Sequence, residues 1–392
     1  MLIVGAGAAG LFCARAAAQS GLDVILLERG AAPGRKLGIS GGGRANFTNR
    51  HMGPQHYLCH GRQDFCVPAL QAFTPDMILR QMRQWRLPVE ERSHGQIFLT
   101  VPARQLVQAL ANDCRRFGCR LYCHSMVKHI SRKGNVFEVT GNDMHWRARA
   151  VVLAMGSPAW PQAGGSGAGF RLAQSLGLSI IRPRPALTPL LLEEDAAAFT
   201  ALAGISLPVT VSLTYNGDIR VWEDDLLFTH EGLSGPAALK ASLFWQEGTP
   251  LTVDFLPGLD FAAMLDAPDA GRQSARSLLG RHMPQRLADL LLPQTTARRK
   301  LAELSRKERI GIVTAVSRHE IIPAGRAGLK KAEVCAGGVN TDEIEAQNMQ
   351  SRLMPGLYVI GEMLDVTGLL GGYNLHWAWA SAMAAARNLA TV

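Results

Sequence analysis

Three glycines near the start of the chain have the spacing of a site for a phosphorylated ligand. Gly5, Gly7 and Gly10 form the pattern G-x-G-x-x-G, and the acidic residue Glu28 follows downstream. Glycines in this pattern allow a tight turn, close approach of backbone to a pyrophosphate, and close packing of a helix on a strand. A carboxylate at the position of Glu28 accepts hydrogen bonds from a ribose diol. The chemistry predicted here is the binding of a dinucleotide without a 2′-phosphate.

A strand, a turn and a helix must follow one another to position these residues. Residues 2–4 are an apolar run, residues 11–20 are an alanine-rich stretch typical of a helix, and residues 23–27 form a second apolar run that ends at Glu28. The N-terminus of the helix then faces the phosphates with free N–H groups. The sequence therefore predicts a βαβ entry to a nucleotide-binding domain.

A second glycine-rich segment near the C-terminus indicates which dinucleotide is bound. Residues 361–374 read GEMLDVTGLLGGYN, after the apolar run 357–360 and before a helix over 375–389 that is rich in small residues. In FAD proteins built from two chain halves, a late strand ends in an acidic residue near the ribityl chain. A helix then directs its N-terminus at the flavin, where its dipole stabilises negative charge. The order of these elements favours FAD over NAD.

The middle of the chain predicts further ligand contacts and an insertion. Residues 34–49 form a glycine-rich loop suited to wrapping a ligand, and the buried strand 150–154 ends beside Gly156. Short β-like runs at 207–213, 221–228 and 251–255 predict a small inserted sheet or barrel. The segment 164–169 lacks the pattern of a second dinucleotide site and is interpreted as a turn or gating loop. One tightly held dinucleotide is therefore expected.

The predicted fold class is α/β, with a discontinuous nucleotide-binding domain that the C-terminus completes. We expect a Rossmann-like FAD-binding domain over residues 1–186 and 341–392, a β-barrel-like domain over 187–258 and 323–340, and a basic helical domain over 259–322.

Positive charge is concentrated in one part of the chain. The formal net charge is +9, yet residues 272–331 contain fourteen Lys or Arg residues against four acidic residues. The rest of the protein is therefore almost neutral. Clustered positive charge is the electrostatic footprint of a phosphate backbone, and a solvated helical face is the alternative interpretation.

Cysteine content and hydropathy indicate the compartment. Seven cysteines spread over 392 residues argue against a disulfide framework. The groups around Cys59 and Cys114 lack a recognised zinc spacing, so no metal is predicted. The apolar start lacks a basic segment before it, and no stretch is long enough to span a bilayer. A cytoplasmic location without membrane association is expected.

Five motifs in order resemble the BaiN-like family of FAD-dependent oxidoreductases. They are GAGAAG with Glu28, GRKLGISGGGRANFTN, LLFTHEGLSGP, EVCAGGVN and GEMLDVTGLLGGYNLHWAWASA. The resemblance implies a glutathione-reductase-type FAD domain with an inserted β-barrel domain and a helical domain. In one bacterial branch, it implies reduction of a uridine in large-subunit ribosomal RNA to dihydrouridine. Other members are linked to reduction of steroid enones or to amine oxidation.

The resemblance also implies which residues contact tightly bound FAD. They are Gly5, Gly7, Ala8, Ala9, Gly10, Glu28, Arg29, Arg35, Lys36, Ser40, Gly41, Gly42, Gly43, Arg44, Asn46, Val127, Ala154, Gly156, Gly361, Glu362, Asp365, Gly371, Gly372, Tyr373 and Asn374. The family usually has cysteine where this chain has Ala45. This chain therefore has no thiol at position 45 for a mechanism that needs one.

Uracil and an enone both present a polarised C=C bond to reduced flavin. Hydride would pass to the β-carbon, a general acid would protonate the α-carbon, and donors would stabilise the carbonyl oxygen. Candidates for these catalytic roles are His230, Ser234, Tyr373, Asn374 and His376.

The leading hypothesis is an FAD-dependent dihydrouridine synthase. Its electron source would be NAD(P)H, acting as a transient reductant. Its partner would be 23S ribosomal RNA or the assembling large ribosomal subunit. The inserted barrel and the basic helical module would form a clamp on the RNA, since a uridine must leave its stack to be reduced. The alternatives are a reductase or oxidase of a small enone or amine, and a non-catalytic RNA-binding flavoprotein.

Overall fold

The computed structural model describes residues 1–142, 144–193, 199, 201–267 and 270–391. The chain divides into two compact units. The first unit comprises Met1–Pro185 and Glu333–Val392, and the second comprises Ala186–Ala332.

A parallel sheet of five strands forms the centre of the first unit. In spatial order, its strands are Leu357–Val359, Val151–Leu153, Leu2–Val4, Ile25–Leu27 and Arg120–Tyr122. The first four are buried at every residue, as expected where both faces of a sheet are covered. Ile3 lies opposite Val152 on one side and Leu26 on the other. This register places the ends of Leu2–Val4 and Ile25–Leu27 side by side, next to Gly5 and Glu28.

Helices accompany this sheet in the first unit. Their bounds are Ala8–Gln19, Ser40–Gly43, Val67–Ala72, Pro75–Gln84, Ala103–Arg116, Ala168–Ser175 and Tyr373–Leu389. The first and last of these pack against each other, with the rings of Phe12 and Trp379 centred 5.2 Å apart. Both are rich in alanine, which allows two helices to approach closely. This contact joins the two ends of the sequence.

Smaller sheets complete the first unit. One contains Val89–Glu91, Gln96–Leu99 and Asn46–Asn49, and another contains Val127–Lys133, Val136–Gly141 and Met144–Ala148. Two pairs of strands are formed by Tyr57–Leu58 with Thr367–Gly368, and by Ile180–Ala186 with Val334–Val339. Both pairs join segments that lie more than 140 residues apart in the sequence.

The second unit contains a seven-stranded sheet whose described pairings are antiparallel. In spatial order, the strands are His319–Ile321, Leu251–Asp254, Ser206–Tyr215, Asp218–Thr229, Gly232–Ser234, Leu190–Leu191 and Gly325–Arg326. The two edge strands are separated by only three residues, which span at most about 14 Å between the flanking residues. The sheet must therefore curve strongly, and closure into a barrel stays a prediction.

Helices flank the sheet of the second unit. They are Gly235–Phe244, Phe261–Asp266, Ala275–Leu279, Gln285–Leu291, Gln294–Ala297 and Arg306–Ser317. Most of them are short, and their apolar residues, such as Leu279 and Leu287, are buried.

The unit boundaries differ from the expected domain boundaries in two places. The chain returns to the first unit at Glu333, eight residues before the expected position 341, because Val334–Val339 pairs with Ile180–Ala186. Residues 259–322 group with the inserted sheet in one unit. The last helix ends at Ser317, and His319–Ile321 forms an edge strand of that sheet.

Candidate functional site

Two positions near the turn after the first strand, Gly5 and Gly10, have no room for any residue larger than glycine. A Cβ atom at Gly10 would lie 1.9 Å from the carbonyl oxygen of Gly5, and one at Gly5 would lie 2.5 Å from the carbonyl oxygen of Ala154. By contrast, a Cβ atom at Gly7 would meet no atom within 4 Å. Gly7 also begins the helix Ala8–Gln19 without a side-chain cap. The first-turn N–H groups therefore adjoin open space suited to an anion.

Glu28 is fixed at the end of the neighbouring strand. Its Oε2 atom accepts a hydrogen bond from the Ala6 N–H at 2.9 Å, and its Oε1 atom accepts one from the Gly30 N–H at 2.7 Å. Each carboxylate oxygen can accept more than one hydrogen bond. The carboxylate is thus held rigidly beside the glycine turn and can still accept hydrogen bonds from a ligand hydroxyl.

The glycine loop over residues 40–46 exposes its backbone. Gly41, Gly42 and Gly43 have φ values of 55°, 65° and 83°, in the left-handed region that favours glycine. A Cβ atom at Gly42 or Gly43 would meet no atom within 4 Å. A cavity of about 530 Å³ adjoins this loop, and its lining residues are Gly38, Ile39, Gly42, Gly43, Pro102, Arg104 and Trp160.

Ala45 lies in the same loop and faces the protein interior. It has a φ of 44° and is completely buried. It is not among the residues that line the cavity. The position at which the resemblance implies a cysteine is therefore buried in this chain.

Lys36 and Glu362 connect the two glycine-rich regions. The Lys36 Nζ atom lies 3.0 Å and 3.1 Å from the two carboxylate oxygens of Glu362. The Cys335 N–H donates to the same carboxylate at 3.3 Å, and burial raises the pKa of the Cys335 thiol to about 12. A Cβ atom at Gly156 would lie 3.9 Å from Glu362. Four segments distant in sequence therefore meet at one carboxylate.

Two arginines anchor the loop that sequence interpretation described as a turn or gate. The Arg29 guanidinium donates to Ser166 Oγ at 3.0 Å and to the carbonyl oxygen of Gly164. Arg35 donates to the carbonyl oxygen of Gln162 at 3.5 Å. These contacts hold the loop beside the predicted cofactor residues.

Asp365 has a partner that sequence reasoning did not find. Its carboxylate is completely buried and accepts hydrogen bonds from the backbone N–H and Nδ1 of His60, each at 2.8 Å. The carboxylate is therefore held in place by His60, and its contact with a cofactor stays a prediction. The two residues are far apart in sequence, so no local motif could reveal the pair.

Three polar residues with different roles lie at the start of the C-terminal helix: Tyr373, Asn374 and His376. Tyr373 is the first residue of the helix, and its ring stacks on His56 with centroids 4.6 Å apart. Burial raises the pKa of the Tyr373 phenol to about 12. Its hydroxyl makes no hydrogen bond with any of the described residues. Tyr373 thus keeps its proton at neutral pH and can donate it.

The side chain of Asn374 holds a backbone loop. Its Oδ1 atom accepts from the Gly368 N–H at 2.8 Å, and its Nδ2 atom donates to the Gly368 carbonyl oxygen at 2.8 Å. Both ends of the amide are used in these bonds. The structure therefore corrects the catalytic assignment of this side chain to a positioning role.

His376 is a buried structural residue. It is completely buried, its Nδ1 atom lies 2.8 Å from Thr48 Oγ1, and its Nε2 atom lies 2.9 Å from the carbonyl oxygen of Phe73. Burial lowers the pKa of the imidazole to about 4. The expected catalytic role is corrected, because a neutral imidazole with both nitrogens engaged does not act as an acid at neutral pH.

His230 and Ser234 lie in the second unit. His230 is exposed at the turn between the strands Asp218–Thr229 and Gly232–Ser234. Ser234 is half-buried and precedes the helix Gly235–Phe244, where its side chain forms no capping hydrogen bond. Their catalytic roles stay predictions.

A family model for the HI0933-like protein Rossmann domain matches residues 1–388. The chain belongs to the HI0933-like family. It is 35% identical to the ribosomal RNA dihydrouridine synthase of Escherichia coli (strain K12), over 99% of this chain and 97% of that protein. It is 29% identical to the 3-dehydro-bile acid delta(4,6)-reductase of Clostridium scindens, over 98% of this chain and 97% of that protein.

A solved structure supports the fold assigned to this HI0933-like protein. The 3-ketosteroid delta1-dehydrogenase from Sterolibacterium denitrificans superposes with a TM-score of 0.52 and 12% sequence identity, covering 100% of this chain and 99% of that chain. The resemblance to an oxidoreductase family and the α/β Rossmann-type fold predicted from the sequence are confirmed.

Within the described residues of this HI0933-like chain, no group of three or more His, Cys, Asp or Glu side chains is arranged to hold a metal ion. The helices in the same part of the chain include none with the length and apolar character needed to cross a membrane.

Proposed function

We propose that the chain is an FAD-dependent oxidoreductase that reduces a uridine C5=C6 bond in 23S ribosomal RNA, with NAD(P)H as electron source. The observation that carries the proposal is the open space beside Gly7, at a helix N-terminus and next to the fixed carboxylate of Glu28. Membership of the HI0933-like Rossmann family supports a dinucleotide cofactor.

The residues of the first unit fit FAD. The turn at Gly7 and the first-turn N–H groups would hold the pyrophosphate, and Glu28 would hold the adenosine ribose. The glycine loop around Gly42 offers open backbone, and Gly372 begins the C-terminal helix in a left-handed conformation with φ of 94° and no side-chain cap. Bound FAD would supply a hydride donor for a polarised C=C bond.

The remaining predicted contacts belong to the same proposal. They are Gly5, Ala8, Ala9, Gly10, Arg29, Arg35, Lys36, Ser40, Gly41, Gly43, Arg44, Asn46, Val127, Ala154, Gly156, Gly361, Glu362, Gly371, Tyr373 and Asn374. Asp365 stays in the same proposal, although its carboxylate accepts two hydrogen bonds from His60 and its backbone N–H donates to the Val339 carbonyl oxygen. Lys36 lies near the N-terminal glycine motif and Glu362 in the C-terminal one. Together they would orient the part of the cofactor that lies between these two motifs.

Tyr373 is the proposed proton donor. Burial raises the pKa of its hydroxyl to about 12, so the hydroxyl is protonated at neutral pH. It donates no hydrogen bond to any of the described residues. The Tyr373 Oη atom would protonate C5 of the uracil ring after hydride reaches C6, and solvent would restore the Oη proton. The balanced reaction converts uridine, NAD(P)H and one proton into dihydrouridine and NAD(P)⁺.

An RNA substrate is supported by a relative and by charge. The relative from Escherichia coli is named a ribosomal RNA dihydrouridine synthase, and residues 272–331 carry an excess of ten positive charges. A small neutral substrate has no need of such a surface, whereas phosphate groups do.

The experiment has two stages. The purified protein should show a flavin absorption spectrum that NAD(P)H bleaches, and a colourless protein contradicts the cofactor assignment. The flavoprotein and NAD(P)H should then form dihydrouridine in 23S ribosomal RNA from a strain that lacks the gene. An unchanged modification pattern after gene deletion contradicts the substrate assignment.

A small enone is the second candidate substrate. The 29% identity to a 3-dehydro-bile acid delta(4,6)-reductase over nearly the whole chain favours it. Oxidation of NAD(P)H by the purified protein should then be stimulated by 3-keto-4-ene steroids and remain unaffected by RNA. Stimulation by ribosomal RNA alone contradicts this second function.

A further inference from the structure

One helix of the second unit has two chemically different faces. Along Arg306–Ser317, Ile312 and Val316 are buried. Arg309 also points inward, because its guanidinium donates to Asp266 Oδ1 at 2.6 Å and to two backbone carbonyl oxygens of the same unit. This side of the helix is fully used in packing and internal hydrogen bonds.

The opposite side of the helix, here called the outer face, is exposed and basic. It consists of Arg306, Lys307, Ile310, Gly311, Thr314 and Arg318. Residues at spacings of three and four share one side of a helix, and all six are exposed. Its three cations make no hydrogen bond or ion pair with any of the described residues.

The one acidic residue of this helix is turned away from the outer face. The Glu308 carboxylate accepts hydrogen bonds from the Ser305 N–H and hydroxyl, each at 2.8 Å, in a capping box. It also accepts from Arg299 at 2.5 Å. The outer face therefore keeps its positive charge uncompensated.

Gly311 gives the outer face an open backbone. Glycine in a helix interior is unfavourable relative to alanine, yet a Cβ atom at Gly311 would meet no atom within 4 Å. Packing within the unit therefore does not require glycine here. A partner surface that approaches the helix closely would require it, and the neighbouring Thr314 hydroxyl can donate to phosphate.

We propose that the outer face binds the sugar–phosphate backbone of the RNA substrate. This inference rests on the proposed function and assigns one surface of the second unit to RNA. Three cations that form no ion pair with the described residues complement a row of phosphates, and the hydroxyl of Thr314 adds a directional donor. Ile310 is 57% exposed and provides an apolar contact for a ribose.

The first test compares two triple variants with the same change in charge. The test variant is Arg306→Gln, Lys307→Gln and Arg318→Gln. The control variant changes exposed arginines of the first unit: Arg80→Gln, Arg83→Gln and Arg116→Gln. Binding of each protein to 23S ribosomal RNA is measured against salt concentration. We expect the test variant to bind about tenfold more weakly, with a salt slope lower by about two to three, since each lost phosphate contact removes about 0.7 to 0.9 from the slope.

The second test uses Gly311→Leu, which adds bulk without changing charge. Because the added side chain meets open space and leucine favours a helix more than glycine does, we expect flavin content to match the wild type and the thermal unfolding midpoint to be at least as high. RNA affinity should still fall about tenfold. A loss of RNA affinity in the triple variant but not in Gly311→Leu overturns the close-approach role of Gly311.

The outcomes separate this inference from the proposed function. If the wild type forms no dihydrouridine, the proposed function fails whatever the variants do. If the wild type forms dihydrouridine and the test variant binds RNA as tightly as the control variant, the outer face is not the RNA surface. Equal losses on ribosomal RNA and on phosphatidylglycerol vesicles would show a general anion surface and would also overturn the assignment.

Discussion

At the scale of single residues, hydrogen-bond satisfaction separates positioning residues from candidate donors. His376, Asn374 and Asp365 are polar residues beside a glycine-rich turn, a location typical of catalysis. Each is engaged on all its principal polar atoms by a partner in the first unit. Buried polar groups must be paired to be tolerated. Tyr373 differs because its hydroxyl makes no hydrogen bond with the described residues.

His376 predicts a specific dependence of stability on pH. Burial lowers its folded-state pKa to about 4, below the unfolded value of about 6.5. The unfolded state therefore binds more protons between these pH values, and stability falls as the pH drops through that window. The loss amounts to about 2 kcal/mol between pH 7 and pH 5.

The comparison of wild type with His376→Gln isolates this effect. The free energy of unfolding of each protein is measured with urea at pH 7 and at pH 5. Its decrease from pH 7 to pH 5 should be about 2 kcal/mol smaller in the variant than in the wild type. Equal drops in the two proteins would mean that His376 is not held neutral by burial.

Tyr373→Phe tests the proposed proton donor. We expect uridine reduction to slow by about 100-fold or more, a typical contribution of a general acid. Flavin content and the rate of flavin reduction by NAD(P)H should be unchanged. Stopped-flow measurement of each half-reaction distinguishes the two steps.

Tyr57→Phe is the matched control for this prediction. The Tyr57 hydroxyl donates to the Tyr373 carbonyl oxygen at 2.9 Å, so its loss should lower stability by about 1 kcal/mol. Uridine reduction should remain close to the wild-type rate. If Tyr373→Phe also retains that rate, another group supplies the proton.

At the scale of elements, the N-terminal strand, turn and helix contain glycines with two different roles. One role is packing within the protein, and the other is ligand binding. Gly10 is required by the protein itself, because its Cβ position overlaps the Gly5 carbonyl oxygen. Gly7 has no such constraint, since its Cβ position is open. The same motif therefore contains one structural and one ligand-directed glycine.

Alanine substitutions at these two glycines should have different consequences. Gly7→Ala should change the stability of the apoprotein by less than about 1 kcal/mol but greatly reduce bound flavin. Gly10→Ala should destabilise the apoprotein by about 1 to 3 kcal/mol, because the backbone must move. Denaturant unfolding and the ratio of flavin to protein absorbance measure both effects. Full flavin content in Gly7→Ala would contradict a pyrophosphate at this turn.

At the scale of the whole molecule, charge and cofactor residues lie in different units. The predicted cofactor residues belong to the first unit, whereas the basic segment 272–331 belongs to the second. Several of its basic residues are neutralised internally, including Arg276 by Asp289 and Arg299 by Glu308. The remaining exposed cations are those available to an RNA backbone.

This separation predicts that salt weakens RNA binding but has little effect on electron transfer from NAD(P)H to a small acceptor. Raising the salt concentration from 50 to 200 mM should weaken binding to ribosomal RNA by about 100-fold or more if at least four phosphates are contacted. Reduction of a small quinone by NAD(P)H should change little over the same range. Parallel losses in both reactions would show that salt acts on the first unit and not on RNA binding.

Local sequence patterns predict the Rossmann-type entry and the family of this chain. Glycine spacing, apolar strands and Glu28 act over a few neighbouring residues, so their local structure is encoded locally. For the same reason, four of the five strands of the parallel sheet lie within two residues of their predicted bounds.

The partners of the polar residues, by contrast, follow from the tertiary fold. Lys36 with Glu362, His60 with Asp365 and Thr48 with His376 are pairs of residues hundreds of positions apart. The pairing of Val334–Val339 with Ile180–Ala186 fixed the return of the chain to the first unit. Such contacts depend on how the sheet and helices bring distant segments together, and sequence spacing has no information on that arrangement. Burial then sets whether a polar side chain holds the fold or remains available to a ligand.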